Sequence, residues 1–334
     1  MSRDRVTIAL DAMGGDRAPG EIVAGALDAA RDLGVEVRLY GRAAEVLACI
    51  PGGTPPPRVT VVDCPDVVGM GDEPAAAVRR LPESSVVRAA LAVREGEADA
   101  LVSAGNTGAA MAAALLRIGR IRGIARPAIA VAIPVPGSHH QVLLDAGATV
   151  DADPDWLVQF ARMGREYAAT RWGLAEPRIG LLSNGGEAGK GDTLRKEVFD
   201  RLRDEPGFIG NVEGTDLMVP GGPDVIVTDG FSGNLVLKTL EAALRSMSSL
   251  VFSILTRGDL AAVGEQVIPS LLEGASLFDP DLTGGALLMG VAGVVVISHG
   301  SSSSLAIANA CRLAADCVRS DIVGRLDRTV VGAG

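Results

Sequence analysis

Short β-branched and aliphatic runs alternate with amphipathic stretches along the whole chain. Strand-like runs occupy residues 6–10, 35–40, 59–62, 100–102, 128–135, 141–145, 179–182, 225–227 and 294–297. Apolar residues at helical spacing between them predict a helix opened by Pro19 and Glu21 and running to Leu33, then others at 73–80, 85–95, 109–116, 154–172 and 193–203. The pattern turns helical again from 235 to about 273, with Gly258 and Pro269 as expected breaks. The runs at 128–135 and 141–145, joined by Pro136, Gly137, Ser138, His139 and His140, predict an antiparallel hairpin. The most lipophilic stretch, 286–297, contains two glycines and reads as a buried helix edge followed by a strand. Strands alternating with helices predict an α/β fold, doubly wound on a mostly parallel sheet in three layers.

Length and composition narrow this picture. No shift in composition marks a linker in the 334 residues, so a single domain over 1–334 is expected, with 235–273 as a helical arm within it. Aromatics make up only 3%, which leaves Val, Leu, Ile and Ala to build the core. The net charge of −10 disfavours a nucleic-acid partner, which requires a broad basic surface. Cys49, Cys64, Cys311 and Cys317 form no C-x-x-C pair and have no zinc spacing, and they read as reduced, mostly buried thiols of a cytoplasmic protein. The opening Ser2, Arg3, Asp4 and Arg5 with a short apolar run is no signal peptide, and no stretch is long enough to span a bilayer.

Five of the strand-like runs stop at loops of Gly, Asn, Asp and Ser, at 11–16, 103–108, 183–187, 228–234 and 298–303. Backbone N–H groups near a helix N-terminus favour anions, and strand C-ends in a parallel sheet share one edge, so these loops are expected to converge on one crevice. In 103–108, two glycines let the backbone approach an anion while Asn106 and Thr107 add donors; an ordinary N-cap turn explains the same residues equally well. Asp229, Asn234 and Lys238 bring an acid, an amide and a base to one strand end, and Asp229 alternatively forms an Asx-turn. His299 follows a buried strand, whereas His139 and His140 are expected in solvent without carboxylate partners.

Common nucleotide loops are absent. The stretch 185–191 fails the phosphate-loop pattern because Asn184 stands where its first glycine belongs and Gly191 where the hydroxyl belongs. Lys190 alone is either an anion partner or a solvated lysine. No dinucleotide glycine fingerprint follows the first strand, and no nucleophile elbow or metal-ligand spacing is present.

Six segments in order resemble the bacterial phosphate acyltransferase family, the acyl-ACP–phosphate transacylases of phospholipid synthesis. They are 9–16 (ALDAMGGD), 97–109 (EADALVSAGNTGA), 143–148 (LLDAGA), 208–214 (FIGNVEG), 229–234 (DGFSGN) with 237–239 (LKT), and 299–302 (HGSS). The chain departs from the family pattern at Ser183 and Asn184, and Thr215 stands where a basic residue is usual. The resemblance implies an isocitrate/isopropylmalate dehydrogenase-like fold and a homodimer with no redox cofactor and no metal. It implies transfer of a fatty acyl group from acyl carrier protein to inorganic phosphate, yielding acyl phosphate for phosphatidic acid synthesis. A phosphotransacetylase-like enzyme using acyl-CoA and an NAD-linked β-decarboxylating dehydrogenase are the alternatives.

On that reading Lys190, Asn234, His299 and Asp229 are the catalytic candidates, with His299 protonating the leaving thiolate. Asp11, Gly14, Gly15, Asp16, Ser103, Gly105, Asn106, Thr107, Gly108, Glu187, Gly300, Ser301 and Ser302 are the candidates for substrate binding. Because acyl carrier protein is acidic, a local basic dock is expected at Arg117, Arg120, Arg122 and Arg126. The apolar stripe at Leu244, Met247, Leu250, Val251, Ile254 and Leu255 suits a dimer or core helix, or a peripheral membrane contact near an acyltransferase that consumes acyl phosphate.

Overall fold

The computed structural model describes residues 5–331, so Ser2, Arg3 and Asp4 lie outside the described residues. Strands β1 (Thr7–Asp11), β2 (Glu36–Gly41), β3 (Val59–Asp63), β4 (Ala100–Ser103), β5 (Ala128–Ile133) and β6 (Gln141–Leu144) come first. They are followed by β7 (Ile179–Leu182), β8 (Phe208–Val212), β9 (Val225–Val227), β10 (Ala286–Met289) and β11 (Val294–Ile297). The helices of the first half are α1 (Gly20–Asp32), α2 (Ala43–Ala48), α3 (Pro74–Arg80), α4 (Ser85–Arg94), α5 (Thr107–Ala113) and α6 (Pro154–Trp172). Those of the second are α7 (Thr193–Leu202), α8 (Gly230–Leu255), α9 (Ala261–Ala275), α10 (Pro280–Thr283), α11 (Ser304–Arg319) and α12 (Ile322–Leu326).

The strands form one 11-stranded sheet in the order β3-β2-β1-β4-β11-β10-β5-β6-β9-β7-β8. Successive side chains on a strand face opposite ways, and here both faces are covered. On β1, Ile8 and Leu10 enter the core shared with α1, α11 and α6, while Ala9 enters the core shared with α4 and α5. The same alternation recurs on β4, where Ala100 and Val102 face one core and Leu101 the other.

Strand direction corrects one expectation. β3, β2, β1, β4 and β11 run parallel, but β10 is antiparallel to both β11 and β5, and β5 is antiparallel to β6. β6, β9, β7 and β8 are parallel to one another and therefore run opposite to the β1 set. The strand C-ends thus do not share one edge, because the hairpin predicted at 128–145 reverses the sheet rather than decorating it.

Smaller differences have local causes. The stretch 286–297 forms two antiparallel strands rather than a helix edge and a strand, with Gly290 at a φ of 87° in the turn between them. Edge strand β8 escapes the alternation pattern: it carries Gly210 and joins β7 across a register shift at Ile179 and Gly180. The predicted 235–273 helix begins earlier and breaks near Gly258, but Pro269 sits inside α9 without ending it. Close packing favours that hairpin, since a side chain at Gly264 would lie 2.1 Å from the Leu255 carbonyl oxygen. Cys64, Cys311 and Cys317 are buried and Cys49 exposed, all as free thiols. Among the described residues no helix is long and apolar enough to cross a membrane.

Candidate active site

A cavity of about 510 Å³ lies between the sheet and the first turns of α8. Its size suits a small-molecule ligand. One wall is the face of β5, through Ile129, Val131 and Ile133, and the other is α8, through Leu237, Leu240 and Leu244. Its polar end is made by Gly105, Thr107, Asn234, Lys238, His299 and Ser302. The starts of α5 and α11 reach this cavity, where a helix N-terminus carries partial positive charge, and α8 meets it one turn in, at Asn234.

Behind the polar end the loops after β1 and β4 pack backbone against backbone. A side chain at Gly14 would lie 2.7 Å from the Gly105 nitrogen and 2.6 Å from an Asp11 oxygen. The Ser103 hydroxyl donates to Asp11 Oδ2 at 2.7 Å and accepts the Gly105 N–H at 3.2 Å. Asp11 is buried, and its Oδ1 has no partner. Burial holds its carboxyl above the usual range, with the nearby polar groups of Ser85, Ser103 and Met13 pulling the other way. The Asp16 N–H donates to the Gly300 carbonyl at 2.7 Å and so ties the β1 loop to the β11 loop.

The site candidates therefore fall into separate groups. Gly105, Thr107, Asn234, His299, Gly300 and Ser302 line the cavity. Asp11, Gly14 and Ser103 stand directly behind Gly105 and do not line it. Gly15 adopts a φ of 120°, Asp16 and Ser301 are exposed, and Gly108 abuts Pro74 at the start of α3. Of the two readings of Asn106, anion donor and ordinary N-cap, its side chain takes the second: Oδ1 accepts the Ala109 N–H at 3.1 Å, and Nδ2 donates to the Met70 and Asp72 carbonyls. Asn106 caps α5 and tethers the 70–72 loop.

Glu187 and Lys190 are exposed on the loop after β7 and do not line the cavity. That loop borders a second cavity of about 440 Å³, reached by Ser183, Asn184, Arg195 and Ser232. Lys190 follows β7 and Asn234 follows the parallel neighbour β9, yet only α8, after β9, lines the main cavity. Asp229 caps α8 by accepting the Ser232 N–H at 2.9 Å, and it pairs with Arg195. Burial pushes the Asp229 carboxyl up, but the Ser232 N–H and hydroxyl and the Arg195 charge outweigh it and hold the group below its ordinary value. Ser183 Oγ is buried without a partner, and Thr215 lies in the short turn Gly214–Asp216.

The four arginines lie around the end of α5 remote from Thr107. Arg117 donates to the Val78 carbonyl, Arg120 to the Ala125 carbonyl, and Arg126 lies 4.7 Å from the centre of the Trp156 ring. Arg122 is exposed. His139, expected to be solvated, is half-buried with Nε2 2.7 Å from Asp224 Oδ1, a partner 85 residues away. His140 stacks on Trp172 with ring centres 6.3 Å apart, and burial lowers its affinity for a proton, helped by Arg171 and His139.

Sequence reasoning missed Glu241, which lines the cavity and binds Lys238. Its spacing three residues beyond Lys238 on a helix was the available signal. It also missed Asp145, whose carboxylate accepts the N–H groups of Ile129, Gly147, Ala148 and Thr149 and fastens the LLDAGA segment beside α8.

The family described as fatty acid synthesis protein matches residues 6–325. A phosphate acyltransferase of Desulfitobacterium hafniense (strain Y51) is 46% identical over 323 residues, which cover 96% of each chain. A phosphate acyltransferase of Geobacillus sp. (strain WCH70) is 44% identical over 326 residues, covering 97% of this chain and 98% of the relative. Among solved structures, a phosphotransacetylase from Streptococcus pyogenes superposes with a TM-score of 0.60 at 16% identity, over 94% of this chain and 93% of that one. At that identity the likeness concerns the fold.

Proposed function

The chain belongs to the fatty acid synthesis protein family, among the phosphate acyltransferases, and is an acyltransferase, and we propose that it moves a fatty acyl group from acyl carrier protein to inorganic phosphate. The product on this reading is acyl phosphate, which serves phosphatidic acid and phospholipid synthesis. One observation carries the proposal: a single cavity joins a polar end at the starts of α5 and α11 to an apolar wall built by β5 and α8. A phosphate dianion suits the first and a fatty chain the second.

The chemistry asks little of the protein beyond positioning and charge. Near neutral pH phosphate is largely a dianion and is already nucleophilic. The site must hold it against the thioester carbonyl, stabilise the oxyanion and help the thiolate leave. In our reading Gly105, Thr107, Gly300 and Ser302 cradle phosphate, Asn234 polarises the carbonyl, and His299 protonates the departing sulfur. Asp11, Gly14 and Ser103 support Gly105 from behind, Gly15, Asp16, Asn106, Gly108 and Ser301 shape the adjoining loops, and Asp229 orients α8. Lys190 and Glu187, outside this cavity, act only on the part of the donor that remains outside it.

The acidic carrier protein docks, on the same reading, near Arg120 and Arg122 at the far end of α5. The twelve residues of α5 and the helical turn after it span roughly 18 Å at ~1.5 Å per residue, a distance the carrier's flexible arm has to bridge. The exposed Met247, Leu250 and Ile254 on α8 suit a homodimer contact or a peripheral touch on the membrane that receives the product. On this reading a likeness to dehydrogenases of the isocitrate type would concern the fold alone and bring no hydride chemistry with it.

A donor panel tests the assignment. Acyl-ACP and acyl-CoA are each incubated with phosphate, and acyl phosphate is measured directly. Acyl phosphate from acyl-ACP in preference to acyl-CoA is the expected result. Preference for acyl-CoA would make the enzyme phosphotransacetylase-like, and no acyl phosphate from either donor would end the proposal.

A further inference from the structure

Lys238 stands one helical turn beyond Asn234 and is the only lysine or arginine among the described residues that line the main cavity. Its ammonium lies 2.9 and 3.1 Å from the two Glu241 oxygens and 3.1 Å from His299 Nε2. Glu241 Oε1 is itself 3.8 Å from that ring nitrogen, and Arg245 approaches Glu241 from solvent at 3.8 Å. The Glu241 side chain is 19% exposed, against 46% for Lys238 and 57% for His299. The carboxylate thus anchors the group from below, and the cation and the ring face the open end. An ammonium offers only donors, so the His299 Nε2 that meets it is the bare nitrogen.

We propose that Lys238 receives the phosphate dianion in this cavity, that Glu241 positions Lys238, and that His299 takes the proton of phosphate at Nε2 and passes it to the leaving sulfur. The inference rests on the reading of phosphate as acceptor. An oxygen lone pair of HPO4²⁻ forms the O–C bond to the thioester carbonyl carbon. The C–S bond breaks with its electron pair on sulfur. The phosphate proton moves to His299 Nε2 and from there to the thiolate, which leaves acyl phosphate and a free thiol. When phosphate draws the ammonium toward itself, Nε2 is released for that proton. Lys238, rather than the exposed Lys190, is then the substrate cation.

Glu241 competes with phosphate for the ammonium while holding it in place, so its removal separates binding from turnover. Neutralising Glu241 leaves Lys238 more attractive to an anion and less well placed against His299.

The test is steady-state kinetics of the full chain with acyl-ACP and inorganic phosphate varied separately. Lys238→Met is expected to raise the KM for phosphate about 10-fold or more and to leave the KM for acyl-ACP within about 2-fold, while Lys238→Arg recovers most of the phosphate affinity. Glu241→Gln is expected to lower the phosphate KM about 2- to 5-fold and to reduce kcat about 5-fold or more, a split that loss of structure does not produce. Lys190→Met is expected to leave the phosphate KM within about 2-fold of wild type. An unchanged phosphate KM in Lys238→Met, or a raised one in Lys190→Met, overturns the assignment of the cation. A Glu241→Gln variant that loses phosphate affinity along with kcat overturns the positioning role. Failure of the wild-type chain to form acyl phosphate from any thioester identifies the underlying reading as the fault.

Discussion

The loops after β4 and β7 both open on a serine, are rich in glycine and carry an asparagine, and they meet opposite fates. In the first, Ser103 and Gly105 are buried, Gly105 meets Gly14 across a backbone contact, and Thr107 opens onto the main cavity. In the second, Asn184, Gly186, Glu187, Gly189 and Lys190 are exposed, and the loop closes on itself through Asn184 Oδ1 and the Gly191 N–H. Both follow a buried strand and precede a capped helix, with Asn106 and Asp192 as the caps. What separates them is the antiparallel insertion of β10 and the β5–β6 hairpin, which turns one half of the sheet against the other. Glycine and asparagine mark where the chain turns; long-range packing decides what the turn faces, since β9 runs parallel to β7 and yet leads into the helix that lines the main cavity.

The contrast is sharpest in the glycines. Gly14→Ala forces a Cβ into the Gly105 backbone and is expected to cost about 3 kcal/mol or more and most of the activity. Gly189→Ala has nothing within 4 Å and is expected to stay within about 0.5 kcal/mol of wild type in a urea melt. Equal effects of the two would erase the distinction between the loops.

A second measurement probes the buried ion pair that joins α7, beyond the β7 loop, to the start of α8. Asp229→Ala removes the cap of α8 and leaves the Arg195 guanidinium, only 12% exposed, without its buried carboxylate. A loss of about 2–4 kcal/mol is expected in the same melt, because an uncompensated buried charge is costly. A loss no larger than that of an ordinary surface substitution would mean that Asp192 satisfies Arg195 alone.

Asp11 gives a smaller effect of opposite sign. Its native carboxyl prefers the proton more than the unfolded one does, so wild type is penalised as pH rises above the ordinary value of 3.8. Asp11→Asn is therefore expected to melt at a higher temperature than wild type at pH 7, with the gap narrowing as pH falls toward that ordinary value. Turnover is expected to drop, since Ser103, which accepts the Gly105 N–H, loses the carboxylate that holds it. A variant less stable than wild type at pH 7 would count against a strained, protonation-favouring Asp11.

The least change in stability is expected on the arm. Leu250→Glu and Ile254→Glu alter side chains that are 53% and 43% exposed, and the monomer melt is expected to move by no more than about 0.5 kcal/mol. Liposome flotation and the oligomeric state are the informative readouts. If neither responds, the exposed stripe has no role at a membrane or between copies of the chain.

Much of this was legible in the order of residues. Runs such as 179–182, 225–227 and 294–297 became strands with those bounds, because short β-branched segments between turn residues have few other stable forms. The long helix from Pro154 to Trp172 was equally plain, with Asp153 as its cap and Gly173 at a φ of 68° as its stop. Local patterns also located the residues that line the cavity after β4, β9 and β11. They failed wherever the answer lay in a distant partner. His139 finds Asp224, the side chain of Asn106 is drawn away to the 70–72 loop, and Lys238 is brought to His299 61 residues along the chain. Turn chemistry, strand propensity and capping act over a few residues and are written locally, so the sequence by itself determined the elements and the turns between them. Sheet order and strand direction depend on which apolar faces pack together at long range, and only the tertiary structure decided that Lys238, not Lys190, stands in the cavity.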